Sequence, residues 1–285
     1  MDVFDQVSTL KKFLNNCRKT NKSVGFVPTM GALHEGHLTL IKNSTKENEV
    51  TICSIFVNPT QFNNAIDLKH YPIQHEQDFK LLKDAGCSAV FLPSVEEMYP
   101  NGVSQKSMLA FNFGTLETRL EGAFRPGHFN GVGIVVSKLF HMVEPNKAYF
   151  GLKDLQQFLI IRKMVNDLSF PIDIKGIPTV REKSGLAMSS RNQRLTEEEL
   201  SIAPYIYQTI TEMKNMLSSN HSPKDVLEWG IDEINKNPSF HLEYLDIVKT
   251  DTLERVDDQH LPKSYAIVIA SHLGKVRLID NLLIE

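Results

Sequence analysis

No stretch of this chain approaches the ~20 consecutive apolar residues that a membrane-spanning helix needs. Neither sign of charge dominates: 31 Lys and Arg stand against 34 Asp and Glu, a net charge of −3. There is therefore no bulk positive field for holding nucleic acid. Cysteine is scarce, with 3 in 285 residues. Cys17, Cys53 and Cys87 are odd in number, scattered, and each lies in an apolar or helical pattern. They read as buried free thiols in a reducing compartment rather than as disulfides or a metal site. The amino end also lacks a secretory apolar core; Met1 to Thr20 mixes charged residues with apolar ones at helical spacing and reads as a first helix. These absences point to a cytoplasmic chain with neither a membrane nor a nucleic-acid partner. Its hydrophobic content of 41% and charged content of 23% are those of an ordinary globular protein. The length suits two domains.

Short apolar runs alternate with helical patterns through the first part of the chain. Val24–Val27, Val50–Val57, Ser88–Pro93, Ala148–Gly151 and Ile172–Ile177 read as buried strands. Helical patterns run from Leu38, from about Gln74 to Ala85, from Asn130 to Val143 and from Lys153 to Val165. This alternation indicates parallel βαβ units, an α/β sheet domain. Glu96 to Thr118 fits no regular pattern. After Pro178 the composition changes. Thr196 is placed to cap a helix running to about Leu217, a second helix spans Pro223–Asn235, and Phe240–Val248, Ala266–Ala270 and Val276–Ile284 alternate as antiparallel strands. The domain boundary is expected between Ile177 and Thr196.

The organising stretch is Pro28 to His37, a strand-to-helix turn in the first βα unit. Ligands of open α/β sheets bind at the carboxyl ends of the strands, and a helix N-terminus suits phosphate. Gly31 and Gly36 allow tight turning and close approach. His34 and His37, three apart, lie on one helix face and could stabilise charge on a phosphate. A metal pair, or two surface histidines, remain open readings of this motif alone. The His-Glu-x-x-His spacing of a zinc helix is absent, however.

Asn58 and Gln61 follow the second strand, where Pro59 ends the ladder. Gly151 to Gln157 occupies another carboxyl edge, so Lys153, Asp154 and Gln157 join the same crevice. A lysine at a helix start is unfavourable to the dipole unless an anion sits there. Met188-Ser189-Ser190-Arg191 offers two hydroxyls and a guanidinium fork to a triphosphate; a solvated linker is the competing reading. Gln61 and Gln157 could equally be surface amides.

Five motifs occur in order: PTMGALHEGH, FVNPTQF, RPGHFNGV, YFGLKDLQQ and GLAMSSRN. Together they closely resemble the pantothenate synthetases, or pantoate–β-alanine ligases, of the nucleotidylyltransferase superfamily. The resemblance runs from about Gly25 to Leu195 and resumes at Arg277–Asn281. It implies an α/β fold with a Rossmann-like catalytic domain over residues 1–178 that binds ATP and pantoate and a smaller α+β lid over 179–285. The enzyme so implied is commonly homodimeric and ATP- and Mg²⁺-dependent; it makes pantoyl adenylate and then transfers the pantoyl group to β-alanine. By the same resemblance Met30, Gly31, Ala32, Leu33, His34, Glu35, Gly36 and His37 line the ATP, with His37 as proton donor. Gly151, Leu152, Lys153, Asp154 and Val180 also meet the nucleotide, and Met188, Ser189, Ser190 and Arg191 close over its phosphates. His34, His37, Lys153, Ser189, Ser190 and Arg191 form the implied catalytic set. Gln61, Gln157 and Asn58 are implied for pantoate and β-alanine. The magnesium ligands are not readable, Asp78 being one candidate. Ile73, Ile66 and Leu152 depart from the family pattern. Another small-molecule nucleotidylyltransferase using the same two loops is the alternative.

Overall fold

The computed structural model describes residues 1–63, 68–103, 109–257 and 261–284; Ile66 lies outside them. The chain divides into two compact units, Met1–Leu152 with Gln156–Pro178, and Lys153–Leu155 with Thr179–Glu285.

The first unit is built on six strands: β1 (Asp2–Phe4), β2 (Val24–Thr29), β3 (Val50–Ile55), β4 (Ala89–Phe91), β5 (Lys147–Gly151) and β6 (Asp173–Ile177). They form one sheet in the order β1-β4-β3-β2-β5-β6, every pair of it parallel. Parallel strands covered on both faces need apolar side chains at successive positions, and β3 is buried at all of them. The α/β reading is therefore correct, with one strand more than expected. The amino end reads as a helix alone, but β1 precedes α1 (Val7–Lys19). Three residues at a sheet edge are too few to show a period.

The connecting helices are α2 (Glu35–Glu47), α3 (His75–Asp84), α4 (Val95–Met98), α5 (Glu121–Phe124), α6 (His128–Val143) and α7 (Leu155–Asp167). Lys153 and Asp154 do not open α7; with Leu152 they make a separate 3₁₀ turn. The stretch without a regular pattern contains α4 and a 3₁₀ turn at Gly114–Glu117, with Phe113 buried. Helix α6 begins two residues earlier than the apolar pattern, on Gly127, whose φ is +78°.

Strand order reverses at β2: the chain steps outward through β3 and β4 on one side and through β5 and β6 on the other. Such a reversal opens a crevice at the carboxyl ends of the central strands. Three of the sequence motifs leave the sheet there, after β2, β3 and β5. Helix α6 passes so close to the turn after β3 that a Cβ on Gly131 would lie 2.4 Å from the Thr60 carbonyl oxygen.

The second unit contains β7 (Phe240–Lys249), β8 (Tyr265–Leu273) and β9 (Val276–Ile284) as an antiparallel sheet with β8 central. Helices α8 (Glu197–Ile202), α9 (Tyr205–Ser218) and α10 (Pro223–Asn235) belong to the same unit. Ile210, Met213, Val226, Ile234, Ile267 and Ile269 lie in its core. Thr196 caps α8 in a reciprocal box with Glu199. The single helix expected from Thr196 to Leu217 is broken at Pro204, which has no N–H to continue the ladder.

Cys17, Cys53 and Cys87 are free and buried, and burial pushes the Cys53 thiol well up and that of Cys87 up to about 12. The thiolate is the reactive form, so at about pH 8 only roughly one in ten thousand Cys87 thiols would be ionised. Ellman's reagent should leave Cys53 and Cys87 unmodified in the folded protein and titrate them once urea is added. Separately, Gly131→Ala should cost about 1–3 kcal/mol in urea unfolding, since the added methyl meets backbone that cannot yield cheaply.

Candidate active site

The loop after β2 turns through two left-handed residues, Gly31 at φ +83° and Ala32 at φ +50°. A non-glycine residue pays about 1 kcal/mol or more there, so something outside the loop must hold it. That something is Asp78 on α3. Its carboxylate is fully buried and accepts from the Ala32 N–H at 3.0 Å and the Leu33 N–H at 2.8 Å. The sequence offers Asp78 as a magnesium ligand, but both of its oxygens serve the loop backbone. Gly31, Ala32 and Leu33 are buried, and all three of their amides are engaged, that of Gly31 by Thr29 Oγ1 at 3.2 Å. What the loop leaves accessible is Met30, His34, Glu35, Gly36 and His37.

His34 is the N-cap of α2, and its Nδ1 accepts from the Gly36 N–H at 3.2 Å. His37, three residues on, accepts the His34 N–H at its own Nδ1, 3.4 Å away. The rings stack obliquely with centroids 4.1 Å apart. A backbone N–H only donates, so each Nδ1 is an acceptor and each neutral ring carries its proton on Nε2. The pair thereby becomes two N–H donors at a helix N-terminus. Glu35 is exposed and bridges to Lys42 at 2.5 Å.

After β3, Asn58 caps the 3₁₀ turn Pro59–Gln61. Asn58 and Gln61 are buried, at 1% and 8% exposure, which excludes the surface-amide reading for Gln61. Gln61 Nε2 donates to Met30 Sδ at 3.1 Å, joining this turn to the loop after β2. On α7 two adjacent glutamines divide. Gln156 is buried and fully engaged, accepting from Glu121 N–H and donating to the Leu116 and Arg119 carbonyls. Gln157 is half-buried and makes no hydrogen bond among the described residues. Gly151 ends β5. Leu152 packs over Gly176, where an added Cβ would meet its Cδ2 at 2.7 Å. Ile73, at the departing position, is 70% exposed.

In the second unit Val180 and Met188 are joined by a Met188 N–H to Val180 carbonyl bond of 3.0 Å, and Arg181 pairs with Ala187. Residues 179–192 are thus a pinned hairpin, not a solvated linker. The pin is Arg181, which grips Asp280 at 2.6 and 2.9 Å, donates to the Gly185 and Asn281 carbonyls and lies 3.8 Å over the Tyr207 ring. Burial raises the Asp280 carboxyl above its ordinary range while Arg181 draws it back. Ser189 caps the 3₁₀ turn Ser190–Arg194, accepting from Arg191 N–H at 3.3 Å. The Lys153 carbonyl is held by Asn281 Nδ2 at 2.8 Å. The Lys153 side chain is only 16% exposed, yet its salt-bridge partner, Asp154, is a loose 3.8 Å away. The Asp280 carboxylate also acts on the Lys153 ammonium electrostatically.

Sequence reasoning missed Asp78 as an anchor, as well as Tyr99 and His128. Tyr99 donates to Asn58 Oδ1 at 2.8 Å, and His128 meets the Gln61 carbonyl at 2.8 Å. Tyr99 lies in the stretch without a period. His128 is visible in the RPGH motif, but its partner is not.

The profile of the Pantoate-beta-alanine ligase family matches residues 2–283. The pantothenate synthetase of Cytophaga hutchinsonii is 47% identical over 98% of this chain and 97% of its own. That of Porphyromonas gingivalis is 46% identical over the full length of both. The crystal structure of pantothenate synthetase from Thermus thermophilus superposes with a TM-score of 0.92 at 41% identity, covering 99% of each chain. A pantoate-beta-alanine ligase from Francisella tularensis, complexed with beta-gamma ATP and beta-alanine, has a TM-score of 0.81 at 37% identity, over 99% of this chain and 97% of its own.

Removing the Asp78 carboxylate would orphan two buried N–H groups, each costing about 1–3 kcal/mol. Asp78→Ala should therefore lose about 3 kcal/mol in urea unfolding. Asp78→Asn, which keeps one acceptor oxygen, should lose less.

Proposed function

The chain belongs to the pantoate–β-alanine ligase family, and from that premise we propose how its own residues carry out the condensation of pantoate with β-alanine at the expense of ATP. In the first step a pantoate carboxylate oxygen attacks the α-phosphorus. The bond to the bridging oxygen breaks, and pyrophosphate leaves with that electron pair. In the second step the β-alanine amine attacks the acyl carbon of pantoyl adenylate. AMP departs with the carboxylate oxygen, and the amine loses a proton as the amide forms.

The first step joins an anion to a polyanion, so its barrier is chiefly electrostatic. His34 and His37 direct Nε2–H donors at phosphate oxygens, and His37 hydrogen-bonds the leaving pyrophosphate as its charge grows. Lys153 supplies a positive charge to the phosphates. Ser189, Ser190 and Arg191 add hydroxyl donors and a guanidinium to the triphosphate, Val180 meets adenine, and Asp154 takes the ribose. Gln61 and Gln157 hold pantoate, with Asn58 behind Gln61. The observation that carries this reading is the histidine pair, both Nδ1 atoms held by backbone N–H groups at the start of α2.

Among the described residues no cluster of three or more His, Cys, Asp or Glu side chains could hold a metal. The residues present thus do not build a magnesium cage, and magnesium would come with the nucleotide on phosphate oxygens and water; no step here runs through it. A cytoplasmic location agrees with the three free thiols. The homodimeric state rests on the resemblance to the family.

The test is pyrophosphate release from ATP, followed with pantoate and with or without β-alanine. Steady release, matched by AMP, should need both substrates, and His37→Ala should lower it by about a hundred- to a thousand-fold, the usual cost of one transition-state donor. Release indifferent to pantoate and β-alanine would instead mark a nucleotidylyltransferase with another acceptor.

A further inference from the structure

We propose that Tyr99, acting through Asn58, holds the Gln61 amide in place with its nitrogen toward the hydroxy acid, and so keeps this position a hydrogen-bond donor to a substrate oxygen. The proposal rests on the ligase reading, in which Gln61 takes pantoate.

The two ends of a carboxamide are nearly the same shape and opposite in function: the oxygen accepts and the nitrogen donates. Which end meets a ligand must be set by the groups behind it. Here backbone groups decide the matter. The Thr60 N–H lies 3.4 Å from Asn58 Oδ1 and can only donate to it. The Gly131 carbonyl lies 3.3 Å from Asn58 Nδ2 and can only accept. The Asn58 amide is thereby oriented, and its Nδ2 also donates to Gln61 Oε1 at 3.1 Å. With its oxygen held by Asn58, Gln61 turns its nitrogen the other way. There its partner is the thioether sulfur of Met30, at 3.1 Å.

A thioether is a weak acceptor. Gln61 is 8% exposed, so water has little access to compensate. An amide buried against sulfur retains most of the cost of an unmade hydrogen bond. A carboxylate or hydroxyl oxygen of a ligand beside Met30 would supply the missing acceptor.

Tyr99 supplies the firmest hold on this relay. Its hydroxyl donates to Asn58 Oδ1 at 2.8 Å, shorter than the bonds to Thr60 N, Thr60 Oγ1 or Gly131 O. The ring is buried at 4% exposure, packed against Phe56 with centroids 6.3 Å apart and under the Lys138 ammonium at 5.4 Å. Burial also raises the phenol above its ordinary range, which keeps the donating proton in place. Tyr99 touches no reacting atom in this scheme. It is a positioning residue, two hydrogen bonds removed from Gln61.

A double-mutant cycle on the full-length enzyme tests it, reading pantoate Kd by calorimetry together with the KM for each substrate. Tyr99→Phe removes one hydroxyl from a packed ring and should weaken pantoate binding about three- to ten-fold, as one hydrogen bond's worth of positioning implies. The ATP KM should stay within about two-fold of wild type. Among the described residues the hydrogen-bonded link from the Tyr99 hydroxyl to the loop after β2 runs through Asn58 and Gln61 to the Met30 sulfur, and a thioether is a weak acceptor. In a Gln61→Ala background, Tyr99→Phe should have no further effect on pantoate. A Tyr99→Phe loss that persists undiminished in that background, or that raises the ATP and pantoate KM values alike, would overturn the relay and leave Tyr99 a structural residue. Gln61→Ala with unchanged pantoate affinity would overturn it at its base. Failure of the ligase reading itself shows separately, as wild-type enzyme whose pyrophosphate release ignores pantoate.

Discussion

A single buried carboxylate holds the loop that leads into the histidine pair of the candidate site. The loop after β2 must turn through Gly31 and Ala32 at positive φ before α2 can begin, and nothing local compensates Ala32 for that conformation. Asp78 does so from α3 by accepting two consecutive backbone N–H groups. Only with the loop so held does His34 arrive as the N-cap of α2 and His37 one turn behind it, each Nδ1 closed by a backbone donor. Proton position on the imidazoles, and hence their capacity to donate to phosphate, is therefore a consequence of backbone geometry.

The same logic separates side chains of identical type. Gln156 and Gln157 are neighbours, yet one closes three hydrogen bonds within the first unit and the other makes none among the described residues. Gln61 falls between them, its oxygen held by Asn58 and its nitrogen against sulfur. A folded protein pairs most of its buried polar groups, and Gln61 pairs its nitrogen with nothing stronger than a thioether.

The second unit repeats the device with different chemistry. Its hairpin from Thr179 to Asn192 contains Gly185, Ser184, Ser189 and Ser190 and little apolar surface, a composition that favours a loose linker. Arg181 converts it into a fixed element by gripping Asp280 on β9, stacking on Tyr207 and donating to two carbonyls. The departures from the family pattern are accommodated more simply. Leu152 packs over Gly176, and Ile73 stands in solvent, so neither displaces a group that holds the loops.

By itself the sequence determined the α/β sheet, because continuous apolar runs between helical patterns have no other economical solution than buried parallel strands. It also determined the order of the motifs and their attachment to carboxyl edges. The three-residue β1 escaped it, as did the break at Pro204 and the separate turn at Lys153, since short elements show no period. What only the tertiary structure decided is the orientation of polar groups. Whether Asp78 holds a metal or a loop, which glutamine is engaged, and which end of an amide faces outward all depend on distant partners, 46 residues apart for Ala32 and Asp78 and 41 for Asn58 and Tyr99. Hydrogen bonds over such separations leave no periodic trace in the chain, and they form only when packing has brought the partners within reach.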